Sequence, residues 1–234
     1  MIKDNIEKVR HEIDRCRKNC RYKINDEPVL LVAVTKNHEV AAMREAVDAS
    51  VTDIGENRVQ EAKRKLPLLE REATWHLIGH LQTNKVKDAV KYFSLIHSVD
   101  SIHLAEAINK AAADAKKIQD ILIQINLVKE ESKSGVYEED LPALLAAMKK
   151  LYALRLCGLM FIAPNYDDPE KCRRHFARMR EIFTQTSKDS DFSATMKYLS
   201  MGMSHDYKIA VEEGANIVRV GTAIFGERDY TKEA

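Results

Sequence analysis

The hydrophobic and polar positions of this chain follow two periodicities that alternate along its length. At the N-terminus apolar residues recur every three or four positions, on one stripe of an amphipathic helix: Ile2, Ile6, Val9, Ile13, Cys16 and Cys20. The next apolar run, PVLLVAVTK, shows no alternation, which is typical of a strand buried on both faces of a parallel sheet. We therefore predict a helix that flanks the core, followed by a buried strand.

Short apolar runs then alternate with longer amphipathic segments to the end of the sequence. Eight short runs are strand-like, and each is followed by a helix candidate: PVLLVAV, TDIGEN, WHLIGHL, LIHSVDS, ILIQINL, ALRLCGLMFIAP, KYLSMGMS and ANIVRVG. Such alternation indicates parallel strands joined by crossover helices. Eight units in 234 residues predict an α/β fold, a (β/α)8 TIM barrel with an extra N-terminal amphipathic helix. No Pro-, Gly- or Ser-rich linker divides them, so we expect one domain, residues 1–234.

An open, doubly wound sheet also alternates strands with helices and is the alternative fold. That architecture commonly has fewer strands and a glycine-rich first turn. The sequence has no GxGxxG after its first strand and no GxxxxGK[ST] anywhere. Both absences favour the barrel.

The composition excludes several classes of protein. With 45% hydrophobic and 31% charged residues, the chain can bury a core, which excludes disorder as its main state. Its 37 Lys and Arg against 36 Asp and Glu lack the basic excess of a nucleic-acid binder. The longest apolar run, Val29 to Val34, is too short for a membrane span, and the charged N-terminus carries no secretory signal. We expect a cytoplasmic protein whose four cysteines stay reduced.

Mostly polar residues follow the predicted strands. The active sites of (β/α)8 barrels are built at the C-terminal ends of the strands, so the residues at these ends are the candidates for chemistry. They are Lys36, Asn57, His80, Ser98, Asn126, Met160 and the segments 200–204 and 219–222.

The loops after strands seven and eight, SMGMSHD and RVGT, are rich in glycine and hydroxyl groups. They supply Gly202, Gly221, Ser200, Ser204 and Thr222. Barrels often bind a phosphate at this place, through backbone N–H groups and hydroxyl donors. The same residue types also form ordinary turns and helix caps, so these loops alone leave both interpretations open.

Lys36 and Arg219 are cations at the ends of apolar strands. An ammonium group is costly to place at Lys36, and in a barrel it would point into the mouth. Near a second cation such as Arg219, the pKa of the lysine would be depressed and its amine could form a Schiff base; alternatively, the side chain reaches solvent. Strand alternation turns the side chain of Arg219 away from its flanking valines. Its partner would be a planar or anionic group; alternatively, it forms an ion pair with Glu56 or Asp206.

Two other kinds of chemistry are poorly supported. His76 and His80 are four residues apart on a segment that passes from strand to loop, with no third ligand nearby, so we expect no metal. The chain has no GxSxG elbow of a serine hydrolase. Ser204, His205 and Asp206 are neighbours in sequence, whereas a catalytic triad needs convergence in space.

Seven segments resemble one known family. They are VAVTK, DIGENRVQE, WHLIGHLQTNK, LIHSVDS, GLM, LSMGMSHDY and VRVGTAIFG, spread between residues 32 and 226, and together they are similar to the pyridoxal phosphate homeostasis proteins. These proteins are single-domain relatives of the alanine racemase N-terminal barrel. The resemblance implies a barrel of that type, with pyridoxal 5′-phosphate (PLP) as the cofactor.

The resemblance also implies a role for each of ten residues. Lys36 would form the Schiff base with PLP, and Arg219 would face the pyridine nitrogen. Asn57 and His80 would lie beside the cofactor. The phosphate would be held by Ser200, Gly202, Met203, Ser204, Gly221 and Thr222.

The resemblance and the chemistry of Arg219 together imply a binding protein. A guanidinium beside the pyridine nitrogen disfavours its protonation, so the cofactor is a weaker electron sink. In the racemases a second acid–base group, a tyrosine, comes from a C-terminal β-domain of a partner subunit, and this chain ends after its eighth unit. We expect a monomer that buffers, carries or releases PLP in intracellular PLP homeostasis, with apo PLP-dependent enzymes as recipients and little or no amino-acid turnover.

Two enzyme functions are the alternatives. One is a PLP-dependent amino-acid racemase or decarboxylase of the alanine racemase fold, against which the missing C-terminal domain counts. The other is a phosphate-binding barrel enzyme that forms a Schiff base between Lys36 and a sugar phosphate, as aldolases do. The seven matching segments count against this second alternative.

Overall fold

The computed structural model, which describes residues 1–130 and 132–227, has eight parallel strands at its centre. Each strand pairs with the next, and the last pairs with the first, so the sheet closes into a barrel. The strands are β1 (Leu30–Val34), β2 (Asp53–Glu56), β3 (Thr74–Leu77), β4 (Leu95–Val99), β5 (Gln119–Ile125), β6 (Leu154–Phe161), β7 (Tyr198–Ser200) and β8 (Ile217–Val220). The prediction of a TIM barrel is confirmed. Of the expected domain, 1–234, residue 131 and residues 228–234 lie outside the described residues.

Every strand is followed by a helix that packs on the outside of the barrel. In chain order these helices are α2 (Val40–Asp48), α3 (Val59–Leu69), α4 (Val86–Tyr92), α5 (Ile102–Asp114), α6 (Leu141–Met148), α7 (Arg173–Thr186), α8 (Tyr207–Glu212) and α9 (Thr222–Phe225). Short 3-10 turns lead into three of them, at Thr83–Lys85, Glu138–Asp140 and Pro169–Cys172. The alternation of strand and helix is the one that the sequence predicts.

The additional N-terminal helix, α1 (Ile2–Asn19), packs against α2, α8 and α9. Its predicted apolar stripe is buried, from Ile2 to Cys16. Cys20 lies one residue past the end of the helix and is buried too. The helix therefore covers the side of the barrel where the first and last βα units meet.

The barrel wall divides the apolar residues into two groups. In β1, Leu31 and Ala33 pack outward with the helices, whereas Val32 packs inside the barrel. The inner group consists of Val32, Leu95, Leu122, Cys157, Met160 and Ile217. The strand is thus buried on both faces, which is why its sequence shows no alternation.

Two of the predicted strand-end residues lie within strands, and a third has a structural role. Ser98 is a buried residue within β4, and Met160 is inside β6, where it packs in the apolar interior. The prediction placed these strand ends too early, because the backbone pairing of β6 with β5 continues to Phe161. Asn126 does follow β5, but its side-chain amide donates to the carbonyls of Glu130 and Lys133 and so closes a turn.

All four cysteines carry free, buried thiols. Burial raises the pKa of Cys157 and of Cys172 to about 11, so both thiols stay protonated at neutral pH. Within the two described ranges, no helix is long and apolar enough to cross a membrane.

Candidate functional site

A cavity of about 290 Å³ opens at the carboxyl ends of the strands, which is where this fold builds its active sites. Seven of the ten residues predicted for cofactor binding line it: Lys36, Asn57, Met203, Ser204, Arg219, Gly221 and Thr222. The other lining residues are Val34, Ile78, Ile162, His38 and His205. The cavity therefore combines apolar sides with two cations, two imidazoles and two hydroxyl groups.

A larger cavity, of about 500 Å³, lies at the opposite end of the barrel, beside Leu30, Thr52 and Asn216. It contains none of the ten predicted residues. Because binding groups of this fold cluster at the carboxyl ends of the strands, we take the smaller cavity as the candidate site.

A buried ion cluster lies behind the loop that carries Lys36. The side chain of Lys65, on α3, is 2% exposed. Its ammonium donates to Glu56 Oε1 at 2.9 Å, to Glu61 Oε1 at 2.6 Å and to the carbonyl oxygen of Thr35 at 2.7 Å. Burial raises the pKa of Glu56. Burial also opposes the ionisation of Glu61, but hydrogen bonds from Lys65 and a backbone N–H hold its pKa below the ordinary value.

This cluster fixes the backbone on both sides of Lys36. Before the lysine, Thr35 donates its hydroxyl to Glu56 Oε1 at 2.6 Å. After it, the N–H of Asn37, a residue with a φ of +60°, donates to Glu61 Oε1 at 2.6 Å. Lys36 is half-buried between these two anchors, at the cavity wall. This cluster was not predicted from the sequence. The i, i+4 spacing of Glu61 and Lys65 on a predicted helix is the pattern that could have indicated it.

Arg219 projects from β8 into the barrel, as strand alternation predicts. It pairs in register with Val32, which is also an inside residue, and it is 3% exposed. Its guanidinium donates to Ser200 Oγ at 2.6 Å and to the carbonyl oxygen of Phe161 at 2.9 Å. Burial lowers the pKa of Arg219 to about 10, so it stays cationic at neutral pH.

The alternative that Arg219 forms an ion pair with Glu56 or Asp206 is wrong for the part of the chain that the structure describes. Glu56 instead belongs to the cluster around Lys65. Asp206 accepts the backbone N–H of Met203 at 2.6 Å. The hydrogen-bond partners of Arg219 are neutral oxygens. The carboxylate of Asp206 acts on the guanidinium only from beyond ion-pair distance, where it favours the charged form, so the charge of Arg219 remains available to a group in the cavity.

The loops after β7 and β8 meet at one end of the cavity. Ser204 Oγ accepts the backbone N–H groups of Gly221 and Ala223, each at 3.2 Å, and Thr222, between them in sequence, also lines the cavity. Through these two contacts Ser204 caps the turn that begins α9, so the interpretation of these residues as turn-forming holds. The same convergence of N–H groups and hydroxyls is the donor set that binds phosphates.

Gly202 shapes this end of the cavity without lining it. Its φ is +93°, and a Cβ there would lie 2.6 Å from the Cβ of Ala210 and 2.8 Å from the Cα of Tyr207. Only glycine fits this close approach of the loop to α8. Its role is therefore to bring Met203 and Ser204 to the cavity.

Asn57 and His80 lie in different environments. Asn57 is half-buried and lines the cavity. His80 is exposed; its Nδ1 lies 3.0 Å from Ser134 Oγ and 3.5 Å from a carboxylate oxygen of Asp100. The ring lines a neighbouring cleft, which it shares with Asn57 and Lys85. The structure thus places His80 next to the candidate site and outside its lining.

Ser200 lies beneath the cavity and connects Arg219 to a row of buried side chains. His97 Nδ1 is 3.0 Å from Ser200 Oγ, His97 Nε2 is 2.9 Å from His76 Nδ1, and His76 Nε2 is 2.8 Å from Asp53 Oδ1. The sequence analysis considered His76 only as a metal ligand and did not single out His97 or Asp53. Across residues 1–130 and 132–227, no three His, Cys, Asp or Glu side chains are placed to hold a metal ion.

The comparisons with known proteins agree on one family. The family model described as "Alanine racemase, N-terminal domain" matches residues 5–229. The pyridoxal phosphate homeostasis protein of Aquifex aeolicus is 38% identical over 226 residues, which cover 96% of this chain and 98% of that protein. The protein of the same name from Pseudomonas aeruginosa is 41% identical over 201 residues, 86% of this chain and 85% of that protein.

Two solved structures are similar as well. PipY of Synechococcus elongatus, solved with PLP bound, has 36% sequence identity and a TM-score of 0.84, with 97% of this chain and 100% of that chain covered. An alanine racemase of Clostridium difficile has 15% identity and a TM-score of 0.67, with 94% of this chain and 58% of that chain covered. The second likeness shows the fold alone.

Lys65→Met is expected to lower the free energy of unfolding by about 3–5 kcal/mol, because removal of one partner leaves the buried carboxylates of Glu56 and Glu61 unpaired. Urea unfolding followed by circular dichroism measures the change. The control is Lys63→Met on the same helix, whose ammonium is 55% exposed and pairs with Asp88 at 3.3 Å; it should change stability by less than about 1 kcal/mol. Equal effects of the two substitutions would contradict the role of the cluster.

Proposed function

Since this chain belongs to the family of the pyridoxal phosphate homeostasis proteins, which carry the alanine racemase N-terminal fold, we propose that it binds PLP as a Schiff base on Lys36 and buffers, carries or releases it. The observation that carries this proposal is the single cavity that holds Lys36, Arg219 and the donors of the last two loops. PLP bound to PipY, a protein of similar fold and 36% identity, supports it.

The chemistry of the cavity fits PLP group by group. Bound PLP supplies an aldehyde, which condenses with a lysine amine to a Schiff base and water. Lys36 offers the amine, and the hydroxyls of Ser204 and Thr222 with nearby backbone N–H groups offer donors for a phosphate. Val34, Ile78 and Ile162 offer apolar sides for a flat ring. The volume of about 290 Å³ is near the lower limit, ~300 Å³, of small-molecule sites.

In this proposal Arg219 faces the pyridine nitrogen of PLP. A cation beside that nitrogen disfavours its protonation, and an unprotonated ring withdraws electrons from a substrate less well. The residue would therefore favour binding over turnover of amino acids. We further propose that the protein acts as a monomer in the cytoplasm and that it passes PLP to apo PLP-dependent enzymes.

His38 and His205 support a second candidate function, a PLP-dependent racemase or decarboxylase. Both imidazoles line the cavity, and imidazoles are common general acids and bases. The cavity therefore offers candidate acid–base groups in addition to Lys36. The names of the relatives, which cover nearly the whole chain at 35–41% identity, favour homeostasis over turnover.

Lys36→Ala is expected to abolish the visible absorption band of the PLP-loaded protein, because no amine remains at the cavity wall for the Schiff base. Borohydride reduction of the unmutated protein, followed by peptide mapping, should place the adduct on Lys36. Lys85→Ala, in the neighbouring cleft, is the control and should keep the band. An adduct spread over surface lysines, or a band that survives Lys36→Ala, would overturn the proposal.

Ser204→Ala is expected to weaken PLP binding by on the order of tenfold or more, because a hydrogen bond to a charged phosphate is lost. Affinity for pyridoxal, which lacks the phosphate, should change far less. Absorption titrations with both compounds measure the difference. Ser193→Ala, at an exposed position, is the control; a parallel loss for PLP and pyridoxal would show that Ser204 does not hold the phosphate.

The PLP-loaded protein is expected to show little or no turnover of amino acids. The measurement is chiral chromatography after incubation with single L-amino acids, with a dedicated PLP-dependent racemase as the positive control. Sustained racemisation or decarboxylation that is lost on His38→Ala or His205→Ala would favour the second candidate and exclude a pure carrier.

A further inference from the structure

The interior of the barrel holds a continuous row of polar side chains that ends at Arg219, and neither candidate function gives a role to Asp53, His76 or His97. It runs from Asp53 at the start of β2 through His76 on β3 and His97 on β4, and then crosses the barrel to Ser200 on β7 and Arg219 on β8. Each link is a hydrogen bond of 2.6–3.0 Å. All five side chains are buried, with exposures between 0% and 7%.

The row lies among apolar residues, including Val32, Leu95, Leu122 and Ile217. A buried polar group in such surroundings costs free energy unless a hydrogen bond compensates it. The links satisfy both ring nitrogens of each histidine. An apolar interior would fill the barrel at lower cost, so the presence of two imidazoles and a carboxylate calls for a function.

The direction of the hydrogen bonds follows from the two ends of the row. Burial opposes the ionisation of Asp53, but hydrogen bonds from His76 and from the Thr52 hydroxyl, at 2.6 Å, hold its pKa below the ordinary value. An ionised carboxylate only accepts hydrogen bonds, so His76 donates with Nε2; a His76 ring that carries this single proton accepts at Nδ1 from His97 Nε2. Burial is the largest cause that holds the pKa of His97 well below its usual value, and the guanidinium of Arg219 acts in the same direction.

A neutral His97 that donates with Nε2 has an Nδ1 that can only accept. The hydroxyl hydrogen of Ser200 therefore points at His97, and the lone pairs of Ser200 Oγ are turned to the guanidinium of Arg219. Every dipole in the row then has its negative end toward Arg219 and its positive end toward Asp53. Aligned hydrogen bonds of this kind strengthen one another.

We propose that Asp53, His76 and His97 are positioning residues for Arg219, which act through Ser200. A serine hydroxyl rotates freely unless an acceptor fixes its hydrogen. With His97 as that acceptor, Ser200 Oγ and the Phe161 carbonyl hold the guanidinium in one orientation. The effect of this row on PLP binding rests on the proposed function, because that effect requires Arg219 to contact the ring nitrogen of PLP.

The order of protons in the row can be measured without any cofactor. In the unloaded protein labelled with ¹⁵N-histidine, long-range ¹H–¹⁵N spectra report which ring nitrogen carries the proton, and single His76→Gln and His97→Gln variants assign the signals. We expect both histidines to be neutral with the proton on Nε2 at pH 7. Protons on Nδ1 would mean that the row runs in the opposite direction, from a protonated Asp53, and would overturn the proposal, as would a charged ring.

The effect on Arg219 is tested with two analogues of the cofactor. Unmutated protein should bind PLP more tightly than 1-deaza-PLP, in which a C–H replaces the ring nitrogen. His97→Leu should lower the affinity for PLP by about tenfold and leave that for 1-deaza-PLP nearly unchanged. His97→Gln, which keeps one donor and one acceptor, should restore part of the preference. His103→Leu, at an exposed position on α5, should behave as the unmutated protein.

The outcomes separate the two proposals. If the unmutated protein forms no adduct on Lys36, the proposed function fails, while the proton positions in the unloaded protein still test the row. If PLP binds at Lys36 but His97→Leu weakens PLP and 1-deaza-PLP equally, the residue supports only the fold and the positioning role is wrong. Should His97→Leu not fold, Asp53→Asn with the same two analogues takes its place.

Discussion

The pairing of β1 with β8 is the contact on which the candidate site depends. It closes the sheet, so that each of the eight strands is paired on both edges, and it sets Val32 opposite Arg219. Lys36 follows β1, so this register brings Lys36 and Arg219, which are far apart in sequence, to one cavity. The turn between β8 and α9 then closes the cavity with its backbone N–H groups.

Two buried polar systems hold the cations of the site, and they do so by different physical means. Outside the barrel wall, the ammonium of Lys65 holds two carboxylates and the backbone around Lys36. Inside it, neutral groups hold Arg219, and the nearest carboxylate in the row, Asp53, lies three side chains away. An ion cluster fixes a loop firmly, whereas neutral partners leave the charge of Arg219 available to the cavity.

The barrel itself does not decide between a carrier of PLP and an enzyme, because one fold supports many chemistries. The decision lies with the few groups that would face the cofactor. In the proposed arrangement, Arg219 would disfavour protonation of the pyridine nitrogen and so reduce electron withdrawal. His38 and His205 offer proton transfer at the same cavity. Whether binding or turnover prevails therefore depends on side chains at the strand ends. These side chains can differ between proteins that share the same fold.

The sequence by itself determined the barrel and most of the cavity. Strand and helix periodicities are local, and polar residues after apolar strands, such as Lys36 and Ser204, can be recognised one segment at a time. Only the tertiary structure decided that His80 lies outside the cavity lining, that Lys65 is buried, and that Asp53, His76 and His97 form one row with Ser200 and Arg219. His97 and Ser200 are 103 residues apart in the sequence. Their contact depends on the register and closure of all eight strands, which no local pattern records.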